Sequence, residues 1–434
     1  MLDLSQEELR SSHTPWKTSA PRRHGMAQGS FRCEVLVVGA GITGALVAER
    51  LTREGRDVVI VDREDPTQGS TLASTAMLLW EIDRPLGQLV ALYGYERAVR
   101  AYRASLAAAR GLTDLVSRCG VACDLVRRNA LYLAADERAG DLAAEAALRN
   151  RAGLPSLFLD HARLRERFGI ARAAAILSGD AAEADPVALA AGLLDVALKR
   201  GARLRKGEAT VFDDRLAKVT VGFDDGCEAE AQHVVLATGY VMPAIVEAHV
   251  QRVSSSWAIA TAPQPQNLWP ERALIWEAGE DYRYARTTTD GRIIFGGEDD
   301  RTLVKPRERD AAIPAKARVL AERLKALWPR ADTRIDYQWS GTFDTTEDGL
   351  PLIGPINGAT RLCAAYGYGG NGITFSYLAA HLIATWIAGG TSKLFDDFAI
   401  GRDAAKNGQD GSRVPALTDA PWNAIHGLNR EQTG

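Results

Sequence analysis

The hydrophobic pattern is clearest between residues 34 and 62. Glu34–Val38 is a short apolar, β-branched run of the kind that forms a buried parallel strand. It enters the turn Gly39-Ala40-Gly41-Ile42-Thr43-Gly44, after which Ala45–Arg53 carries apolar residues at helical spacing. Gly55 stops that helix, and Asp57–Val61 is a second apolar strand ending at Asp62. Strand, glycine turn, helix, strand is the βαβ alternation of an α/β fold with a parallel sheet.

Further along, Leu92–Cys119 is rich in Ala, Arg and Leu at helical spacing and stops at Gly120. Asn129–Ala134 predicts a strand, and Asp141–Asn150 and Ala162–Phe168 predict helices. Pro186 opens a helix through Arg200, where its missing N–H costs little. Ala202–Leu204, Thr210–Phe212 and Ala217–Gly222 read as strands, and so does His233–Leu236, which runs into Ala237-Thr238-Gly239. Arg283–Arg286 and Arg292–Gly297 predict a hairpin around Asp290-Gly291. A helix follows over Ala315–Leu327, then a strand over Arg361–Ala365. The turn Tyr366–Gly372 leads into a long helix, Ile373–Ile387.

Composition narrows the classes. The chain has 434 residues, 46% hydrophobic and 25% charged, which suits a globular protein of two or three domains. A formal charge of −3 gives no electrostatic case for nucleic acid. No apolar run approaches the roughly 18 residues of a membrane span. Met1–Phe31 lacks the apolar core of a secretory signal, so we expect an irregular extension over 1–30, with Met26 as a potential alternative start. Five cysteines form no C-x-x-C pair, and seven histidines show no metal-site spacing. The expectation is a reduced, cytoplasmic protein without a metal.

The chemistry of the first unit follows from its glycines. Gly39, Gly41 and Gly44 allow a tight turn, close backbone approach to a pyrophosphate and close helix–strand packing. With Ile42 and Thr43 they open a helix whose free N–H groups face phosphates. Asp62, with Arg63 beside it, lies about 20 residues on, where an acid takes the ribose hydroxyls of NAD or FAD. This unit alone does not separate the two. Ala237-Thr238-Gly239 lies far downstream, which fits a nucleotide domain interrupted by insertions, a flavoprotein habit.

Six motifs in order carry a resemblance: VVGAGITG, Asp62, AEADP at Ala182–Pro186, VVLATG, W-x-G-x-x-x-x-T-x-D-x-x-P-x-I-G at Trp339–Gly354, and YGGNGIT at Tyr368–Thr374. Over roughly residues 30–390 the chain resembles the FAD-dependent oxidoreductases of the D-amino-acid oxidase superfamily, which also holds glycine oxidase, sarcosine oxidase and γ-glutamylputrescine oxidase. The resemblance implies a discontinuous Rossmann-like FAD domain over 31–125, 180–245 and 340–400. A substrate domain with an antiparallel sheet would occupy 126–179 and 246–339, and 401–434 would be a tail. By the same likeness Ser70, Thr71, Ser74, Thr75 and Ala76 wrap the flavin and Val211 meets the adenine. Gly370, Asn371, Gly372, Ile373 and Thr374 contact the pyrimidine end of the ring. A helix starting there also aims its positive end at the ring.

Departures from the family pattern bear on substrate. No His stands in the first loop and no Cys in Tyr337–Thr346, so FAD is expected to be non-covalent. Sarcosine-oxidase-like members carry lysines where Thr374 and, by rough alignment, Ile294 stand here. The expected activity is oxidation of a C–N bond in an amine or amino-acid-like substrate, with oxygen or another electron acceptor.

Candidate aromatic walls are Trp80, Tyr282, Tyr284, Trp339, Tyr366 and Tyr368, with Trp339 and Tyr366 nearest the flavin motifs. Glu81 and Asp83 are candidates for a substrate ammonium, and Arg283 or Arg286 for a carboxylate. Alternatives are a C–OH dehydrogenase, which needs a base, usually His, a pyridine-nucleotide dehydrogenase, and a non-catalytic FAD-binding subunit.

Overall fold

The computed structural model describes residues 10–16, 27–134, 139–214, 217–246, 251–279, 282–356 and 359–402. Two sheets organise them. In the first sheet, Leu362–Tyr366, Glu228–Leu236, Phe31–Val38, Val58–Asp62 and Arg203–Lys206 lie side by side and parallel. Leu352–Pro355 closes one edge antiparallel. Val35, Val37, Val58 and Ile60 are fully buried under the helices Ile42–Arg53, Pro186–Lys199 and Gly372–Ile387. Leu36, Val38, Val59 and Val61 point the other way, onto Val219, Val221 and Phe223 of a small antiparallel layer. Burial on both faces explains why these strands read as continuous apolar runs.

The second sheet has ten strands, in which Ile335–Thr346, Gln251–Thr261, Ile293–Asp300 and Arg283–Thr287 run antiparallel. One pair departs from the expected antiparallel pattern: Leu274–Glu277 lies parallel to Val126–Leu133. The helix Ile313–Leu327 packs Leu320 and Leu324 against this sheet.

Three expectations need correction. The stretch taken as an irregular extension contains the strand Arg10–His13, paired antiparallel with Gln338–Gly341. Gly94, at φ 76°, divides the first long helix into Leu86–Tyr93 and Tyr95–Cys119. The strands Ala174–Glu183 and Ile335–Thr346 run across positions 180 and 340, so neither position is a break in the chain's structure. The expected C-terminal tail lies, from residue 403, outside the described residues.

Candidate active site

A cleft of ≈ 1490 Å³ opens at the carboxyl ends of the parallel strands, the place where open α/β sheets bind ligands. Val38, Val61 and Ala237 end three neighbouring strands there, and Gly39, Gly41, Ile42 and Thr43 line it. Gly39 has φ 114°, and a Cβ on it would collide with the Ala237 carbonyl oxygen. A Cβ on Gly44 would strike the Gly39 carbonyl, so Gly44 serves helix packing behind the cleft wall. Asp62 and Arg63 lie further along, with Thr238, Gly239 and Val211. Asp62 accepts the Ala40 N–H at 2.6 Å and the Glu64 N–H at 2.9 Å. Burial pushes its carboxyl up against those two bonds. Val211 is 60% exposed, the single large apolar residue so open among the described residues, and it stands at the cleft rim.

Ile42, Thr43, Ser70, Thr71, Gly239 and Tyr240 also line a second cavity of ≈ 180 Å³, so the two spaces share a wall. One side of this cavity is the segment Ala73–Ala76, whose four successive carbonyls are each held by a distant side chain. Trp339 donates its indole N–H to Ala73 at 2.9 Å and Trp16 to Ser74 at 3.0 Å. Arg286 Nη1 donates to Thr75 at 2.8 Å and to Ala76 at 3.0 Å. Ala76 has φ 50°, a left-handed backbone that these bonds hold in place.

The opposite end is the start of the helix Gly372–Ile387, preceded by a 3₁₀ turn over Gly369–Asn371. Gly370, Asn371, Gly372 and Ile373 face the cavity, so its floor is the positive end of a 16-residue helix. Thr374 does not face it; its hydroxyl donates to the Leu79 carbonyl at 2.7 Å and fastens the helix to the neighbouring segment. Among the residues proposed to hold cofactor, only Thr374 and Gly44 line neither space.

The candidate reacting groups separate sharply. Trp339, Tyr282, Tyr284 and Tyr368 line the small cavity, and so does Asp83. Tyr366 is fully buried in its strand and meets the Thr238 hydroxyl at 2.7 Å. Glu81 is buried beside Arg149 beneath the cavity, where burial pushes its carboxyl up and Arg149 opposes the shift. Trp80 is buried too, donating to the Gly179 carbonyl. Arg283 points to the other face of its strand from Tyr282 and Tyr284 and is taken by Glu277 and Glu298, at 3.3 and 3.2 Å. Arg286 is spent on the carbonyls of Thr75, Ala76 and Ala184, so neither arginine reaches the cavity. Ile294 is buried against Trp339, Ala258 and Ala260.

Sequence reasoning missed Tyr240, Trp257, Trp276 and Phe343, which also line the wall. A signal existed for Phe343. Trp339, Gly341 and Phe343 alternate along one strand and therefore share a face. Trp276 lay in a short strand, Leu274–Glu277, that carries no pattern strong enough to read.

The family FAD dependent oxidoreductase (DAO) matches residues 34–386. The chain belongs to that family. It is 25% identical over 380 residues to the Gamma-glutamylputrescine oxidoreductase of Escherichia coli (strain K12), covering 85% of this chain and 87% of that one. Among solved structures, glycine oxidase from Geobacillus kaustophilus superposes with a TM-score of 0.70 at 21% identity, over 86% of this chain and 99% of the other. Iminodiacetate oxidase from Chelativorans sp. BNC1 gives 0.67 at 20%, over 84% and 98%.

The residues present fit the cofactor of the family. Gly39 and Gly44 leave no room for a side chain in the turn that lines the cleft, and an acid stands at the end of the second strand. The cleft then continues to a helix N-terminus suited to the electron-rich end of a flavin.

Proposed function

We propose that this chain oxidises a C–N bond of an amine or amino-acid-like substrate, giving an imine that water hydrolyses. When bound, FAD supplies the two-electron acceptor that takes a hydride from the carbon beside nitrogen. The chain's own part is to hold the substrate in the small cavity, keep water away with aromatic walls and fix the ring against the Ala73–Ala76 segment. The observation that carries this reading is the lining of that cavity. Eight aromatic side chains wall it (Tyr240, Trp257, Trp276, Tyr282, Tyr284, Trp339, Phe343, Tyr368), and no histidine is among its described lining residues. Oxidising an alcohol needs a group to take the hydroxyl proton, usually His, whereas an amine whose nitrogen is already neutral gives up hydride without one.

The names of the relatives, an oxidoreductase of γ-glutamylputrescine and oxidases of glycine and iminodiacetate, point to the same bond. FAD held without a covalent bond fits as well, because no cysteine or histidine lines either space among the described residues. Acid precipitation should therefore leave the flavin in solution. All five cysteines are unpaired, which suits a reducing compartment such as the cytoplasm.

The test is anaerobic. Holoenzyme mixed with a broad panel of amines and amino acids should lose its flavin absorbance near 450 nm (roughly, as for any two-electron flavin reduction) with at least one of them. Bleaching by 2-hydroxy acids alone would transfer the activity to C–OH bonds. No bleaching by any compound would leave FAD binding as the chain's role.

A further inference from the structure

The small cavity is unevenly charged. Among its described lining residues there is one ionisable acid, Asp83, and no lysine, arginine or histidine. The two arginines nearest in sequence to its tyrosines are committed elsewhere, Arg283 to two glutamates and Arg286 to backbone carbonyls. A second acid stands behind the wall: Asp299 faces the Tyr282 hydroxyl and Ser256, and it feels the charge of Asp83.

Asp83 is placed by the glycine turn. Its Oδ2 accepts the Gly370 N–H at 2.7 Å, and a Cβ on Gly369 would collide with that oxygen. Oδ1 has only the Asn371 amide at 3.4 Å, a long contact that leaves its lone pairs free for a stronger donor. The side chain is exposed and lines the cavity. Tyr240 and Tyr282 lie near enough to feel its charge, and Tyr284, Trp276 and Phe343 line the same cavity. Aromatic faces with one carboxylate make a site for an organic cation. The same site penalises an anion, because a substrate carboxylate would find no cation and would face Asp83.

We infer that Asp83 is the counter-ion of the substrate's ammonium, taking the proton that nitrogen sheds before the neutral amine gives up hydride, and that the substrate is a cationic amine with no carboxylate on the carbon that bears nitrogen. The inference rests on the C–N reading of the site and narrows it from amines and amino acids to amines.

The experiment pairs each amine with its α-carboxylated analogue: benzylamine with phenylglycine, butylamine with norvaline, and 1,4-diaminobutane with ornithine. Anaerobic holoenzyme is titrated with each, and the half-saturating concentration is read from the change in the flavin spectrum. At least one amine should half-saturate at a concentration tenfold or more below its partner. Asp83→Asn should erase that preference by weakening the amine about tenfold while leaving the carboxylated partner unchanged or tighter. Asp83→Glu, which keeps the charge, should retain part of it, and the FAD content of both variants shows whether the turn still folds. Equal or tighter binding of the carboxylated member, or an unchanged preference in flavin-loaded Asp83→Asn, overturns the inference and leaves C–N oxidation standing. Silence from all six compounds overturns both.

Discussion

The indole N–H of Trp16 donates to the carbonyl oxygen of Ser74 at 3.0 Å, across 58 residues of sequence. The strand Arg10–His13 delivers Trp16 by pairing with Gln338–Gly341, the stretch that also carries Trp339. Trp16 then packs beside Ala73 and Tyr337 against a cluster holding Trp339 and Ile294, and the Arg286 guanidinium lies 5.5 Å over its ring. A segment expected to be an irregular extension thus braces the Ala73–Ala76 segment.

Replacing Trp16 by Ala should loosen that loop more than it loosens the fold. A lost hydrogen bond of about 1 kcal/mol corresponds to roughly fivefold weaker binding of FAD to the apoprotein. A chain begun at Met26 should lose at least as much, since it also lacks the strand. Titration of apoprotein with FAD by fluorescence quenching measures both, and equal affinities would show that the brace is idle.

The acid of the T-x-D-x-x-P motif has a structural partner. Arg402 reaches Asp348 with Nε at 2.7 Å and Nη2 at 2.8 Å, and both side chains are almost fully buried. Tyr93 adds its hydroxyl. Burial alone would raise the Asp348 carboxyl, but Arg402 and Tyr93 outweigh it and hold the group at about 2. A depressed carboxylate stabilises the fold above its unfolded value near 4 and loses that contribution as pH falls toward 2. Arg402→Ala should therefore cost about 3–5 kcal/mol at neutral pH, because it strands a buried charge. The gap between variant and parent should narrow between about pH 4 and pH 2. Denaturant unfolding at pH 7 and pH 3 checks both statements.

The nucleotide half was legible because its strands are buried on both faces and its turn permits only glycine at Gly39 and Gly44. Both constraints act locally and leave a mark on consecutive residues. The substrate half was read less well because its geometry is made between distant segments. Glu81 and Asp83 are two apart in one loop and chemically alike, yet one lies under the cavity with Arg149 and the other faces into it. No periodicity separates them, since the loop has none. Arg283 and Arg286 offered charge in the right region, but Glu277 and the carbonyls of Thr75 and Ala76 had already claimed them. A side chain's partners across a sheet are set by register, which short strands do not announce.

Those two arginines should behave differently when removed. Arg286 is buried, which lowers its guanidinium to about 10 and leaves it charged at neutral pH, held by the carbonyl oxygens of Thr75, Ala76, Ala184 and Thr287. Arg286→Met leaves those oxygens unpaired and frees the backbone at Ala76, so the purified variant should lose most of its FAD and about 3 kcal/mol or more of stability. Arg283→Met should keep its flavin, since Glu277 retains Arg172 at 3.0 Å. The cost there should be about 1 kcal/mol or less, as for other partly exposed pairs. Flavin-to-protein absorbance ratios after gel filtration distinguish the two, and flavin loss in Arg283→Met would return that residue to the site.

A pH series on amine binding tests the role of Asp83 without changing the protein. The protein enclosing the cavity pushes its carboxyl up to about 6, against the Gly370 N–H that favours the charged form. Above that value the group is ionised and attracts a cation; below it the charge, and with it the attraction, is lost. The affinity of anaerobic holoenzyme for benzylamine, which stays cationic throughout, should hard-limit near neutral pH. It should then fall by up to about tenfold per unit as pH drops below 6. Two neighbouring acids provide the contrast. Asp299, raised mainly by burial to about 6, sits behind Tyr282 and acts only through space. Asp344, raised by burial to about 8, is fully enclosed and would place the break two units higher. Asp83→Asn should flatten the profile near 6. If the fall persists in that variant, Asp299 is the acid that the bound cation senses, and Asp83 only caps the glycine turn.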